Sequence, residues 1–160
     1  TSLVNFANSL SGTIAVAVFA VAYNASTSAD PTNVALIQNG VKSVFWTAAV
    51  VTLIGLLLVI FIVTCVLTNF MSNTATTALM IPIAVSLANN LGADPRAVVI
   101  ATVIAGSCAY ATPIGMPANT MVVTAGGYTF KDYAKAGVPL ILVATVVSMI
   151  LLPILYPFFP

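Results

Sequence analysis

Near its middle the chain reads TNFMSNTATT over residues 68–77, and seven of these ten side chains are amides or hydroxyls. An apolar run over 50–67 leads into this segment, and a shorter apolar run over 78–87 follows it. No charged residue occurs anywhere from 43 to 93. Polar groups set within long apolar segments are typical of functional sites held at depth in a membrane. The segment therefore predicts a membrane protein that handles a solute.

The composition supports a membrane assignment. The 160 residues are 61% hydrophobic and 4% charged, whereas a soluble domain carries about a quarter charged residues. Four charge-free runs can each hold a crossing of roughly 20 residues or a re-entrant element; they cover 1–29, 43–93, 97–130 and 136–160. We expect an all-α membrane protein. With a net charge of +1, the chain lacks the excess of basic residues that binding of nucleic acid requires, so no nucleic-acid partner is expected.

Catalytic side chains are scarce in this sequence. Histidine is absent and no acidic residue lies deep in an apolar run, so acid–base catalysis, metal hydrolysis and an aspartate dyad are not expected. Cys65 and Cys108 lie in apolar runs without metal-ligand spacing, and we interpret them as small buried hydrophobic residues. The sequence predicts no enzyme. Because the chain starts at Thr1 without the basic segment of a signal peptide, we expect a part of a longer protein.

Breaks in the apolar pattern divide the chain into four predicted segments. Residues 1–42 hold an apolar helix over 9–23 and, after a loop, a short interfacial helix over 32–42. Residues 43–93 form a helical hairpin, whose first arm spans 44–71 and whose second arm follows a Ser-Asn-Thr tip.

The remaining two segments lie in the C-terminal part of the chain. Residues 94–127 form a discontinuous helix, because TPIGMPANT carries two prolines and a glycine that do not continue a helix. Its first half is predicted over 97–111, and its second half begins near Asn119. Residues 128–160 form an amphipathic linker and a last transmembrane helix over 138–155. Unwound backbone is tolerated within a membrane where it lines a cavity, and transporters bind substrates at such breaks.

The two polar segments suggest a cation and an anion side by side. Neutral Ser, Thr and Asn oxygens suit a weakly held monovalent cation such as Na+, whereas a tight divalent site would require carboxylates. The second arm of the hairpin begins near 72–74, and its free N–H groups attract an anion. The unwound segment adds free carbonyl groups near 112–115. An anion site without Arg or Lys is therefore physically reasonable.

Other interpretations of the same residues stay open. Both polar segments can be surface loops between ordinary spanning helices, and single threonines such as Thr102 and Thr145 are interpreted as interhelical hydrogen-bonding residues. A channel or pore subunit lined by the same side chains would conduct without saturable, sodium-coupled uptake. A non-transporting membrane scaffold subunit would show no ligand response. A membrane enzyme is a more distant alternative.

At the two polar segments the chain resembles the divalent anion/sodium symporters, which carry dicarboxylates, citrate or sulfate. The sequences that carry the resemblance are TNFMSNTATTALMIP over 68–82, SCAYATPIGMPAN over 107–119 and GGYTFKDY over 126–133, with GVPL over 137–140. The likeness covers residues 32–159, and the motifs occur in the right order at the right separation.

The resemblance implies one half of an inverted-repeat transporter that works by an elevator mechanism, with a re-entrant hairpin in its moving domain. It implies that Na+, the coupling ion and the one metal expected, is bound by four residues: Thr68, Ser72, Asn73 and the backbone of Gly115. It implies that the anion is bound by five residues: Asn73, Thr74, Met116, Pro117 and Asn119. No other cofactor is expected.

The resemblance also implies the setting of the site. The partners would be a small divalent anion, a sodium ion, the lipid bilayer and, for the full-length protein, a second copy in a homodimer. The membrane would be a bacterial-type plasma (inner) membrane, with Lys131 and Lys135 on the cytoplasmic side. Met116 stands where many dicarboxylate carriers have a hydroxyl, which leaves the choice among dicarboxylate, citrate and sulfate open. The family's first hairpin and first broken helix are absent from this sequence.

Overall fold

A computed structural model describes residues 15–25 and 33–159. These residues form six α-helices, and no strand occurs within the two described ranges. In chain order they are α1 (Ala15–Ala25), α2 (Val34–Thr68), α3 (Asn73–Asn90), α4 (Arg96–Gly106), α5 (Pro117–Gly126) and α6 (Phe130–Leu155). The prediction of an all-α protein is confirmed. By length and composition, α2 and α6 are able to cross a membrane.

The chain divides into two compact units, Thr1–Thr52 and Leu53–Pro160. In the first unit, Ser43 Oγ of α2 donates to the carbonyl of Ala22 in α1 at 3.0 Å. The helix predicted over 9–23 falls partly outside the described residues. Every predicted sodium-binding and substrate-binding residue belongs to the second unit.

The N-terminal part of α2 differs from the prediction. One helix of 35 residues replaces the separate interfacial helix over 32–42 and the hairpin arm over 44–71. The predicted break is wrong because a polar and singly charged stretch does not by itself end a helix. Its one breaker, Gly40, costs only about 1 kcal/mol in a helix interior, whereas a proline costs about 3 kcal/mol. Ser43 Oγ also donates to the carbonyl of Gly40 at 2.9 Å.

The second unit has a core built mainly from α2, α3 and α4. α3 packs on α4 through small side chains that are fully buried, including Ala84 and Ala88 on α3 and Ala101 on α4. Small residues let two helix backbones approach closely, which is how helices in membranes associate. Leu57 and Phe61 of α2 complete the core and are 0% exposed. This packing brings the end of α2, the start of α3 and the end of α4 together.

The discontinuous helix takes the form of α4 and α5, with residues 107–116 between them outside any helix. α4 has 11 residues and α5 has 10. Each is therefore roughly 15 Å long, about half of a hydrocarbon core. α4 ends at Gly106 rather than at 111, and α5 begins at Pro117 rather than near Asn119. The break is thus longer than predicted, because the backbone after Gly106 hydrogen-bonds to side chains of other elements.

α6 also begins earlier than predicted, so that the linker over 128–137 and the last helix are largely one helix of 26 residues. The start is fixed by a capping box. The backbone N–H and the hydroxyl of Thr129 both donate to Asp132 Oδ2, at 2.8 and 2.7 Å. Such a box satisfies amide groups that the first helical turn leaves unpaired. The Thr-x-x-Asp spacing in the sequence was the signal for this start.

The threonines interpreted as interhelical groups bond within their own helices. Thr102 Oγ1 donates to the carbonyl of Val98 at 2.7 Å, and Thr145 Oγ1 donates to the carbonyl of Ile141 at 2.8 Å. The interhelical interpretation is wrong for these two residues. A threonine hydroxyl in a helix readily reaches the carbonyl one turn earlier and needs no second helix.

Candidate functional site

Four residues, 69–72, connect the end of α2 to the start of α3. Ser72 has an extended backbone and is the N-cap of α3, where its Oγ accepts a hydrogen bond from the amide of Ala75 at 3.2 Å. The Ser-Asn-Thr sequence therefore lies at a helix start, with Asn73 half-buried and Thr74 exposed. The depth of this connection in a membrane stays a prediction.

Three oxygen atoms meet beside this connection. Thr68 Oγ1 is fully buried, and it lies 2.8 Å from Asn73 Oδ1 and 2.6 Å from the carbonyl oxygen of Gly106. A hydroxyl carries one proton and can donate it to one of these two oxygens at a time. The acceptor that does not receive this proton, Asn73 Oδ1 or the carbonyl oxygen of Gly106, then faces Thr68 Oγ1 at a short distance with no proton between them. Such a cluster of neutral oxygens favours a cation of low charge.

The carbonyl of Gly106 is a member of this cluster that the sequence did not indicate. It belongs to the last turn of α4, where carbonyl groups have no partner within the helix. Gly106 also allows the close approach of α3, because a Cβ at this position would overlap Thr77 Oγ1. Thr77 Oγ1 in turn donates to the backbone carbonyl of Asn73 at 2.7 Å. The end of α4 thereby lies directly against the first turn of α3.

The residues predicted to bind substrate in the unwound segment lie at the start of α5. Met116 is the N-cap and is half-buried, and Pro117, the first helical residue, is exposed. Gly115 is buried beside Ala109 and Thr112, where a Cβ would lie 3.1 Å from the Ala109 Cβ. Binding of an anion or of Na+ by these residues stays a prediction.

The side chain of Asn119 holds the unwound segment by two hydrogen bonds. Its Nδ2 donates to the carbonyls of Ala109 and Thr112, at 2.8 and 3.0 Å. An amide nitrogen has two protons, so both are committed to the unwound segment. The backbone carbonyl of Asn119 accepts from the hydroxyl of Tyr133 in α6 at 2.9 Å. The backbone N–H of Asn119 donates to the carbonyl of Met116 at 3.1 Å, so the predicted role of Asn119 in substrate binding rests on its Oδ1 or on a rearrangement of these bonds.

A second residue that the sequence did not indicate, Asn69, joins the α2–α3 connection to the unwound segment. Asn69, next to Thr68, is buried and bonds through its side-chain amide to the backbone of Cys108 and Ala111 in the unwound segment. The sequence placed Asn69 in the polar segment but gave no signal for its partners, because they lie about forty residues further along the chain. Its contacts join residues 69–72, between α2 and α3, to the unwound segment between α4 and α5.

The electrostatics of the region come from helix ends. α3 and α5 both begin here, and α2 and α4 both end here. Each helix end carries about half an elementary charge, positive at N-termini and negative at C-termini. No charged side chain occurs over 43–93 or 97–130. The site therefore offers partial charges of both signs, suited to a small cation and a small anion together.

Two cavities lie near these helix ends without containing the predicted residues. One, of about 720 Å³, lies between α5 and α6 and is lined by Tyr110, Tyr128 and Tyr133. The other, of about 500 Å³, lies between α2 and α6 and includes Asn69 and Thr112 in its wall. None of the predicted sodium-binding or substrate-binding residues lines either cavity. The predicted residues instead lie at helix ends, some buried, as Thr68 and Gly115 are, and some exposed, as Ser72, Thr74 and Pro117 are.

Comparison with known proteins gives a consistent result. The citrate transporter family model matches residues 46–159. The uncharacterized transporter YfbS of Escherichia coli is 38% identical over 99 residues, which are 62% of this chain and 16% of that protein. The sodium-dependent dicarboxylate transporter SdcS of Staphylococcus saprophyticus is 32% identical over 102 residues, 64% of this chain and 20% of that protein.

An animal protein shows the same similarity. Solute carrier family 13 member 2 of Oryctolagus cuniculus is 35% identical over 83 residues, 52% of this chain and 14% of that protein. The chain therefore spans at most about a fifth of the length of these three relatives. All of the predicted site residues lie within the part that the family model matches.

Proposed function

The chain belongs to the citrate transporter family, as the resemblance to the divalent anion/sodium symporters implied, and we propose that it takes part in sodium-coupled transport of a small divalent anion. The observation that carries this proposal is the oxygen cluster of Thr68, Asn73 and Gly106, in which one proton serves two acceptor oxygens. The transporter family and the two long apolar helices also support an integral membrane protein.

The cation would be Na+, bound by the oxygen cluster. Thr68 and Asn73 supply side-chain oxygens, and Gly106 adds a backbone carbonyl. Ser72 and the backbone of Gly115 complete the proposed coordination by the resemblance. Neutral ligands give a monovalent cation modest affinity, which suits an ion that must be released in each transport cycle.

The anion would lie between the N-termini of α3 and α5. Asn73 and Thr74 face it from α3, and Met116, Pro117 and Asn119 from α5. The positive ends of two helices attract a carboxylate or oxyanion without Arg or Lys, and a neighbouring Na+ strengthens the attraction. One of the relatives is a dicarboxylate transporter, and the family is that of citrate transporters. We propose dicarboxylate, citrate or sulfate as the substrate class.

The rest of the transport machinery would come from outside this chain. α4 and α5 are each about half a membrane long, which supports a discontinuous helix with its break near the midplane. The connection between α2 and α3 would then be re-entrant and meet this break. We propose that a related second half completes the site, that the whole works by an elevator motion as a homodimer, and that bacterial-type inner membranes are its setting.

A thermal-stability experiment on the purified chain in detergent tests the proposed function. Succinate, citrate and sulfate are each added in NaCl, KCl or choline chloride, and the melting temperature is measured. A ligand that binds the folded state stabilises it by mass action, by about 2.7 kcal/mol at one hundred times its Kd. We expect a rise that needs Na+ and one of the anions together. No rise under any combination would contradict the proposal for this chain.

Two variants on the same helix make this experiment specific. Asn73→Ala removes one side-chain oxygen from the cluster, so we expect the rise in melting temperature to disappear. Asn90→Ala changes the same side chain at the other, exposed end of α3 and should keep the rise. An equal loss in both variants would mean that the response does not depend on the oxygen cluster.

A further inference from the structure

Asn69 forms hydrogen bonds through every polar group of its side chain and through its backbone carbonyl. It is 5% exposed, and its Nδ2 donates to the carbonyls of Cys65 and Cys108, at 2.7 and 3.2 Å. Its Oδ1 accepts from the amide of Ala111 at 3.0 Å. The backbone carbonyl of Asn69 accepts from Thr112 Oγ1 at 2.6 Å. Of these four hydrogen bonds, one joins the residue to the end of α2 and three join it to the unwound segment.

The chemistry of these bonds requires an amide. One end of the side chain faces two carbonyl oxygens and must donate, and the other end faces an N–H group and must accept. A carboxylate of the same shape would accept at both ends and place an oxygen against two carbonyls. A buried amide with all its groups paired holds its partners in one arrangement, since every alternative leaves a polar group unpaired.

The partners of Asn69 lie between the two proposed ligand positions. Asn69 follows Thr68, a member of the oxygen cluster. Thr112, which donates to Asn69, is itself held by Asn119, because the carbonyl of Thr112 accepts from Asn119 Nδ2 at 3.0 Å. A short path of contacts therefore runs from the oxygen cluster through Asn69 and Thr112 to the first turn of α5.

We propose that Asn69 is a positioning residue that couples the cation site to the anion site. Binding of Na+ fixes Thr68 and Asn73, the three hydrogen bonds from Asn69 to Cys108, Ala111 and Thr112 fix the unwound segment in turn, and the first turn of α5 is then held ready for the anion. The coupling raises anion affinity when Na+ is bound, and by linkage raises Na+ affinity when the anion is bound. This inference rests on the proposed function of the same site.

The test compares citrate affinity in NaCl and in KCl for the wild-type chain and four variants. Asn69→Asp keeps the shape and loses the two donated bonds, and Thr112→Val keeps the shape and loses the hydroxyl. Thr112→Ser restores a hydroxyl at the same position. Thr120→Val removes a hydroxyl that donates to the carbonyl of Pro113 at 2.9 Å, a bond that does not reach the α2–α3 connection. All variants are first checked for a cooperative thermal transition.

In the wild type and in the Thr112→Ser and Thr120→Val variants, we expect Na+ to raise citrate affinity roughly tenfold or more, within the usual range of coupling. In Thr112→Val we expect citrate affinity in KCl to stay near the wild-type value and the rise with Na+ to be lost. In Asn69→Asp the added negative charge lowers citrate affinity in both salts, and we expect the ratio of the affinities in NaCl and KCl to fall to about one, which marks the loss of coupling. A purely structural role would instead lower affinity equally in both salts.

Two contrary results are distinguishable. If the wild type shows the rise with Na+ and Asn69→Asp and Thr112→Val show it too, the coupling role of Asn69 is overturned and the proposed function stands. If the wild type binds citrate equally in both salts, or does not bind it, the sodium-coupled function fails and the coupling role fails with it.

Discussion

At the scale of single residues, the buried hydroxyls of this chain differ in what they bond. Thr64 and Thr102 donate to the carbonyl one turn earlier in their own helices, at 2.6 and 2.7 Å. Thr68 reaches across to two other elements. The side-chain hydroxyl of Thr76, also 0% exposed, has no hydrogen-bond partner among the residues that the structure describes. The position of a hydroxyl relative to its neighbours therefore decides its role, and the residue type alone does not.

The unpaired hydroxyl of Thr76 gives a prediction about stability. Thr76→Val keeps the shape and removes a buried polar group, so we expect the free energy of unfolding in detergent to rise, by up to about 1–3 kcal/mol. Thr68→Val is the matched comparison, because it removes a hydroxyl that does bond and should lower the free energy of unfolding. A loss of stability in Thr76→Val would show that its hydroxyl has a partner in the folded protein.

The residues of the site were only partly predictable. The sequence indicated Thr68 and Asn73 because amides and hydroxyls stand out within an uncharged apolar stretch, and the structure brings these two together. It gave no indication of Gly106, which contributes a backbone carbonyl, or of the contacts of Asn69. Such contributions depend on which helix ends meet in the folded chain, and the local sequence around a residue does not indicate which distant helix end it will contact.

At the scale of helices, local signals gave the breaks correctly where they were strong. Gly92 adopts a φ of 67° just after α3, and Gly127 adopts a φ of 64° just after α5. Both lie at the predicted segment boundaries, which follow residues 93 and 127, and glycine takes this backbone conformation without steric cost. The breaks predicted within α2 and at the start of α6 rested on polarity alone, and both were wrong. Polarity marks an exposed helical turn as readily as a helix end.

The packing of α6 against the unwound segment gives a second prediction. Gly137 is buried, and a Cβ there would overlap the backbone carbonyl of Tyr110. Backbone cannot move aside as a flexible side chain can, so we expect Gly137→Ala to lower the free energy of unfolding by about 1–3 kcal/mol. Chemical denaturation of the purified chain in detergent measures this change.

Gly55 provides the control for that measurement. It lies within α2, and beyond the adjacent backbone of that helix none of the described residues comes within 4 Å of a Cβ placed there. Gly55→Ala should therefore be neutral or stabilise the helix by up to about 1 kcal/mol. Equal effects of the two substitutions would contradict the close contact between α6 and the unwound segment.

At the scale of the whole molecule, the chain combines predicted ligand residues at helix ends with a largely apolar exterior. α6 exposes large side chains such as Leu142, Val143, Ile150 and Ile154, which suits contact with lipid or with a further part of the protein. The predicted ligand residues lie at helix ends outside the two cavities. Both features agree with a chain that spans at most about a fifth of its relatives.

The central claim is that Na+ and a small anion bind together at the helix ends around Thr68, Asn73 and the start of α5. Calorimetric titration of the purified chain tests it most directly, with citrate titrated at a series of NaCl concentrations and Na+ titrated with and without citrate at constant ionic strength. We predict that each ligand raises the affinity for the other by the same factor, as linkage requires. Citrate affinity that does not change between NaCl and KCl would contradict the claim.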